Sequence, residues 1–365
     1  MINTARWRTT GVVAVLTVIC VVPAWAGGYS ITDLGVLGGT SSRALSVNGA
    51  GQVAGEYWTA SGSNHAFLYS GGSMTDLGTL GGLTSAASGV NDNGQVTGWA
   101  DAASNTYAFL YSNGTMSSLG SLSSNGSSEA AGINGTGQVV GWSDTVSGAQ
   151  HAFLYSNGTM NDLGTLGGVN SFATGINDNG QVVGGAEGPA NSYAFLYSNG
   201  TMISLGDLGG TGAIRSTAYG INSLGQVVGV AETASGYNNA FFYNNGTMTD
   251  LGTLGGVYSI AYGINRSGQI IGDAGTASGR DPFLFSGGKM IDLNSLLPAG
   301  SGWQLTDANA INDAGQIVGD GTINGQEHAF LMTPTTVPLP SAAYLFGSGL
   351  IGLALLTGNR KARIG

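Results

Sequence analysis

The chain has 365 residues, 66 of them glycine, and its 42% hydrophobic content is enough for a packed core. The formal net charge is −10; all 20 acidic residues but only Arg43, Arg215, Arg266, Arg280 and Lys289 among the basic ones lie between residues 27 and 336, so that stretch carries −15, a field that works against nucleic acid and anionic membrane as partners. The single cysteine, Cys20, falls in an apolar segment near the N-terminus, which excludes disulfides and thiolate metal sites from everything after it.

Residues 1–26 have the layout of a secretory signal peptide. Arg6 and Arg8 form a basic start, 11–22 is apolar, and Ala24-Trp25-Ala26 supplies a small-x-small cleavage site with Gly27 as the new N-terminus. The alternative is an uncleaved membrane anchor. A lipoprotein signal is disfavoured, because Ile19 rather than a small residue precedes Cys20.

From Tyr29 onward one unit recurs, clearest over 193–229, where YAFLYSNGTM is followed by LGDLGG, AYGIN and GQVVG. Its anchor glutamines are Gln52, Gln95, Gln138, Gln181, Gln226, Gln269 and Gln316, spaced by 43, 43, 43, 45, 43 and 47 residues. Such a period marks a propeller or a solenoid. The glycines recur at fixed places in the unit, which ties their abundance to turn geometry rather than to disorder.

Each unit holds two hairpins. The first turn has the form Asn-x-x-Gly at 48–51, 91–94, 134–137, 177–180, 222–225, 265–268 and 312–315, which fits a type I turn entering a glycine bulge. The second is Asn-Gly at 113–114, 157–158, 199–200 and 245–246, with Gly-Gly at 71–72 and 287–288; these fit a type I′ turn with two positive φ angles. Four short strands in about 43 residues match one propeller blade. The last unit lacks its fourth strand, and YSITDLGVLGG near the mature N-terminus supplies a spare one. The expected fold is therefore an all-β seven-bladed propeller over 27–333, closed by the N-terminal strand, with small-residue strands such as AYGI innermost. An open β-solenoid is the alternative; it needs end caps, and none is visible.

The HAF tripeptide at 65–67, 151–153 and 328–330, together with the Asn-Gly turns and GINxxGQVVG segments, makes residues 29–333 resemble the HAF family of bacterial extracellular repeats. The resemblance implies a secreted or surface location and supplies no catalytic residues.

Candidate chemistry is sparse. His65, His151 and His328 share one repeat position, held elsewhere by Tyr107, Tyr193, Asn239 and Asp281; that favours a strand-surface role over a metal site. Asp33, Asp76, Asp162, Asp250 and Asp292, replaced by Ser118 and Ser204 in two units, read as edge or turn hydrogen-bonding groups, spread blade by blade rather than paired for glycoside hydrolysis. The two NDNG segments, at 91–94 and 177–180, lack the rest of a calcium loop and read as turns. No catalytic residue and no cofactor is assigned. More informative is the stretch after GQVVG, which carries an acid in every unit: Glu56, Asp101, Asp144, Glu187, Glu232, Asp273 and Asp320. Trp58, Trp99 and Trp142 join the first three, and Tyr57 the first. Aromatic faces and carboxylates together suit sugar contact, so Trp58, Trp99, Trp142, Glu56, Asp101 and Asp144 form a candidate glycan site; a solvated rim with packed aromatics is the plain alternative.

The C-terminal end is a second address. Val337-Pro338-Leu339-Pro340 closes a linker over 334–340; an apolar run at 341–357 and a basic tail at 358–365 with Arg360, Lys361 and Arg363 follow. Seventeen residues of helix span about 25 Å, the lower limit for a membrane helix, and the basic tail should stay cytoplasmic. The last 29 residues resemble the PEP-CTERM family of bacterial sorting signals in a VPLP variant, with Tyr344 at the aromatic position and Ser341 in place of the usual Ala. The resemblance implies a Gram-negative envelope, an exosortase-type membrane peptidase as partner, and transfer to the cell surface or matrix, often alongside exopolysaccharide production. A plain C-terminal anchor in the inner membrane is the alternative. The expected function is that of a non-enzymatic exported surface or matrix protein, presenting the propeller to an extracellular polysaccharide or a surface protein. Its competitor is a secreted glycan-binding or glycan-active enzyme domain.

Overall fold

A computed structural model describes residues 28–335. It is an all-β ring of seven four-stranded antiparallel sheets, a seven-bladed β-propeller, as the repeat predicts. Blade 1 consists of Ser41–Val47, Val53–Trp58, Asn64–Ser70 and Ser73–Asp76, and blades 2 to 6 repeat that order from inner to outer strand. The signal peptide expected at 1–26, the motif Val337, Pro338, Leu339 and Pro340, the apolar run at 341–357 and the basic tail lie outside the described residues. Among the described residues no helix is long and apolar enough to cross a membrane.

Blade 7 joins both ends of the chain. Its first three strands are Trp303–Ile311, Ile317–Ile323 and Gln326–Pro334, and its outer strand is Tyr29–Gly35. The register runs from Tyr29 opposite Pro334 to Asp33 opposite Phe330. Gly28 O accepts hydrogen bonds from Thr335 N at 2.9 Å and Thr335 Oγ1 at 2.6 Å. The propeller thus spans Gly28–Thr335, and Pro334, expected in the linker, ends a strand instead.

The hairpin chemistry follows the sequence. Asn113, Asn157, Asn199 and Asn245 have φ near 50°, and the glycine after each also has positive φ, as a type I′ turn requires. In the other turn Gly51 N donates to Asn48 O at 3.1 Å and Asn48 N to Gln52 O at 3.0 Å, and Gly51 has φ 75°. Inner strands are small-residue strands because each is bulged and lies beside its neighbour around a channel of about 280 Å³. At the bulge, the carbonyl of residue 43 approaches Gly55 so closely that a Cβ there would sit 2.0 Å from it. Glycine is therefore required at this point of GQVVG, and the same approach recurs in every blade at 1.9–2.1 Å. Opposite those glycines stand Phe67, Phe109, Phe153, Phe195, Phe241, Phe283 and Phe330, all fully buried, one anchoring each blade.

Two rings of hydrogen bonds join the blades. The first runs through the turn asparagines. Asn48 Nδ2 donates to Asn91 O, Asn91 to Asn134, Asn134 to Asn177, Asn177 to Asn222, Asn222 to Asn265, Asn265 to Asn312 and Asn312 back to Asn48, at 2.8–3.2 Å. The second Nδ2 hydrogen goes to the glutamine four residues on, and Oδ1 accepts that glutamine's N–H, as Asn177 does with Gln181 at 2.8 and 3.0 Å. The second ring uses the serine that opens each inner strand. Ser85 Oγ accepts from Ala66 N of the preceding blade at 2.9 Å and donates to Gly78 O at 2.6 Å. Ser42, Ser128, Ser171, Ser216 and Ser259 repeat this. Before blade 7, Asn294 replaces the serine, accepting from Leu305 N at 2.8 Å.

The antiparallel order gives the ring two distinct faces. Both kinds of hairpin turn lie on one, the turn face. The connections between second and third strands, and those from outer strand to next inner strand, lie on the other, the loop face. The outer strand of blade 7 starts, and its third strand ends, on the turn face, so both chain ends leave there.

Two expectations follow. Asn177→Asp keeps the acceptor but loses both donations, leaving Asn222 O buried without its partner; unfolding stability should drop by roughly 1–3 kcal/mol or more, whereas Asn199→Asp in an outer turn should cost far less. Equal denaturant midpoints for the two variants would show that the asparagine ring carries no stability. Deleting Tyr29–Gly35 strips blade 7 of its outer strand and should lower the melting temperature by several times the ~2 °C expected per ~1 kcal/mol in a domain of this size; an unchanged melting temperature would count against closure.

Candidate functional site

The structure divides the acids and tryptophans after GQVVG into two positions. Counting from Gly55, Gly98 and Gly141, the next residue is Glu56, Trp99 and Trp142, and the third is Trp58, Asp101 and Asp144. Both lie on the same side of the sheet, near the loop-face end of the strand. Trp99 and Trp142 are therefore equivalent on neighbouring blades, while Trp58 takes the place of an aspartate.

The third position holds the connection that enters each blade. Asp101 accepts from the Thr84 and Thr106 hydroxyls, the latter at 2.8 Å, and Asp144 accepts from Ser127 N at 2.9 Å. Glu187 accepts from Val169 N and Asn170 N at 3.1 and 3.2 Å, and Glu232 from Gly212 N at 2.6 Å. The Asn170 amide and these backbone N–H groups hold Glu187 below its ordinary pKa. The last glycine of LGxLGG leaves room for this contact: a Cβ on Gly82 would sit 2.4 Å from Asp101 Cβ. Trp58 lies under the Arg43 guanidinium, 5.2 Å from ring centre to Cζ, and Glu56 accepts from Asn64 at 2.9 Å. These four candidates are occupied within their own blades.

The first position faces the next blade. Two interfaces reveal the constellation. Between blades 6 and 7, Arg280 from the third strand bonds Asp307 of the next inner strand and stands 3.5 Å from Asp273 of its own second strand. Between blades 7 and 1, Glu327 takes the place of Arg280 and bonds Arg43 at 2.7 Å, beside Asp320. The equivalent residues between blades 2 and 3 are Trp99, Thr106 and Glu129, and between blades 3 and 4 Trp142, Gln150 and Phe172. Within blade 3, Glu129 pairs across the strands with Trp142, whose indole N–H donates to it; burial pushes the Glu129 carboxyl up despite that bond. Phe172 pairs with Gly185, and a ring carbon lies 2.7 Å from where a Gly185 Cβ would be; the ring is 41% exposed. The result is a strip, Trp99, Glu129, Trp142 and Phe172, crossing three blades at the loop-face end of the inner strands. Glu129 and Phe172 were missed in the sequence because they precede the turn, far from the tryptophans in the chain; the cross-strand register sets Glu129 opposite Trp142 and Phe172 opposite Gly185.

Elsewhere the polar groups have structural partners. His65, His151 and His328 bond Asp76, Asp162 and Asp33 at 2.8–2.9 Å, and Asn239 bonds Asp250; in the two blades with Ser118 and Ser204 the partner position is Tyr107 or Tyr193. Partial burial raises the Asp76 carboxyl, but His65, Gly78 N and Tyr57 together hold it below its ordinary value. At the turn-face mouth, Asp92, Asp178 and Asp313 accept from the backbone of the preceding blade at 2.7–2.8 Å. Among the described residues no group of three or more His, Cys, Asp or Glu is placed to hold a metal ion.

Residues 169–337 match a family described as "Protein of unknown function (DUF3466)", a window running from the entry of blade 4 into the end of blade 7. No curated protein matches the sequence significantly. Among solved structures, a puromycin-hydrolyzing peptidase of Mycobacterium tuberculosis is similar, with 10% identity and a TM-score of 0.54 over 85% of this chain and 55% of that one. Aleuria aurantia lectin has 14% identity and a TM-score of 0.37 over 72% and 98% of the two chains, and Trypanosoma rangeli sialidase 10% and 0.39 over 93% and 64%. The likeness to the peptidase is one of fold, and the chain spans about half of that protein's length.

The charged interfaces make a pH prediction. Burial first, and then the neighbouring Asp307 charge, push Asp273 up to about 8 and Asp320 up to about 7, from an ordinary 3.8. Both keep in the folded ring a proton that the unfolded chain gives up. Their contribution is complete below about pH 4 and is lost as pH rises through the folded values. The denaturant midpoint should fall between about pH 5 and about pH 9, and the double change Asp273→Asn, Asp320→Asn should flatten that fall. A midpoint that rises over this range would contradict the assignment.

Proposed function

We propose that this propeller is a non-enzymatic carbohydrate-binding module of an exported surface or matrix protein. The observation that carries the reading is the strip Trp99, Glu129, Trp142 and Phe172 on the loop face. Sugar rings present an apolar C–H face that packs on aromatic planes, and hydroxyls that bond to a few placed polar groups. The strip offers aromatic planes on successive blades, with one carboxylate between the tryptophans.

Two further observations support it. Gly28 and Thr335, the two ends of the propeller, both lie on the turn face and leave the loop face clear of them. The carboxyls with the most raised pKa values, Asp273 and Asp320, are 1% and 3% exposed, Asp273 beside Arg280 and Asp320 bonded to Thr306 of its own blade, which suits scaffold rather than acid–base work on a substrate. The secretory signal, the VPLP motif and the HAF resemblance point to the same setting, with an exosortase-type peptidase and an extracellular polysaccharide as partners.

Changing Trp99 and Trp142 to Ala should weaken retention on a polysaccharide panel by ~2 kcal/mol or more if both anchor the ligand, with circular dichroism unchanged. Retention equal to that of the unaltered protein would reduce the strip to interblade packing. Release of reducing sugar from a bound glycan would favour the glycan-active reading instead.

A further inference from the structure

The aromatic strip has an uneven electrostatic character. Glu129 pairs across the strands with Trp142 of its own blade, and Trp99 and Phe172 hold the corresponding second-strand and inner-strand positions of the blades before and after. The Trp142 indole holds the carboxylate in place from one side. No arginine or lysine occupies an equivalent position beside it: between blades 2 and 3 the third-strand residue is Thr106, where the interface between blades 6 and 7 has Arg280. Of the basic residues at this face, Arg43 and Arg280 are bound to Glu327 and Asp307, and Arg215 enters blade 5, two blades away from Glu129. Glu129 is thus a half-buried carboxylate facing the Trp142 indole, with no salt bridge among the described residues.

That combination is selective. Indole and phenyl faces carry negative quadrupoles and attract a cation lying over them, and a partly desolvated carboxylate adds to that attraction. A uronic acid would meet a carboxylate in a domain of charge −15. A neutral sugar would satisfy its hydrogen bonding but leave its charge without a partner. A protonated amine on the sugar ring would sit over the indoles and complete the ion pair. Resting on the carbohydrate-binding reading, we infer that the strip selects polysaccharides bearing free amino groups, with Glu129 as the specificity-determining residue.

The test uses hexamers of glucosamine and of N-acetylglucosamine, titrated into the purified protein near neutral pH and followed by tryptophan fluorescence and calorimetry. The two differ at the nitrogen, a protonatable amine in one and a neutral acetamide in the other, so the titration is repeated on the acid side of neutrality, where the amine is more fully charged. The unaltered protein should bind the free-amine hexamer roughly tenfold more tightly than the acetylated one. Glu129→Gln should bring the two affinities together, while Trp142→Phe, which keeps an aromatic face, should retain the preference in weakened form. Equal affinity for both hexamers in the unaltered protein, or a preference that survives Glu129→Gln, overturns the inference and leaves the carbohydrate reading standing. Failure to bind either hexamer overturns it as well. Undiminished binding after Trp99→Ala and Trp142→Ala takes the site away from the strip and overturns the inference with it. Should Glu129→Gln not fold, the ratio measured on the unaltered protein decides alone.

Discussion

Seven asparagines close this ring. Each sits at the start of a hairpin turn, and in a single hairpin its job would be to bridge that turn. Here the side chain does so with Oδ1 and one amide hydrogen, leaving the other hydrogen to reach the main chain of the next blade. The last link, from Asn312 to Asn48, joins residues 264 apart in sequence. A side-chain amide is the only group that can do this. Aspartate lacks the donors, serine lacks the reach and the second donor, and glutamine would displace the turn. Because the amide is buried, omitting one member leaves its neighbour's carbonyl without a partner. This ring fixes the spacing of the inner strands, and the bulges, small residues and glycine approaches around the channel are consequences of that spacing.

Much of this architecture is legible in the sequence, for a physical reason. A type I′ turn requires two positive φ angles, so Asn113-Gly114 and its counterparts announce a hairpin wherever they occur. The missing strand after HAFLM and the spare one at YSITDLG fit each other because a strand without a neighbour leaves unpaired backbone groups. The asparagine ring was not legible. Asn-x-x-Gly-Gln is a complete turn by itself, and nothing in one unit signals that an amide hydrogen is left for the next. The only trace was that asparagine and glutamine stand four apart in every unit without exception.

The site was half legible. Trp99 and Trp142 can be found by composition, but the acids nearest to them in sequence are not their partners. Asp101 and Asp144 stand two residues beyond the tryptophans, on the same side of the strand, and are drawn off by the connection entering each blade. Glu129 lies thirteen residues before Trp142 and becomes its neighbour only through the antiparallel register, which the inner-strand bulge shifts by one residue. Proximity along the chain was the wrong measure of proximity in the sheet. Trp58, three residues after Gly55, is equivalent to Asp101 and Asp144 rather than to the other tryptophans.

A repeat places equivalent side chains on a circle, so any localised property of the ring comes from positions where the units differ. The first residue after the second-strand glycine shows this: glutamate, tryptophan, tryptophan, glycine, valine, aspartate and aspartate around the seven blades. The aspartates flank blade 7, which alone is assembled from both chain ends, and there Arg280 with Asp307 and Arg43 with Glu327 reverse polarity across one blade. A reversed pair tolerates only one partner on each side, so these charges specify the seat of the closing blade. With that side of the ring committed to closure, the aromatic positions fall on blades 2 to 4, where the strands are contiguous in sequence and closure makes no demand. The strip is therefore free of the constraint that shapes its charged counterparts, and its side chains can be shaped by a ligand instead.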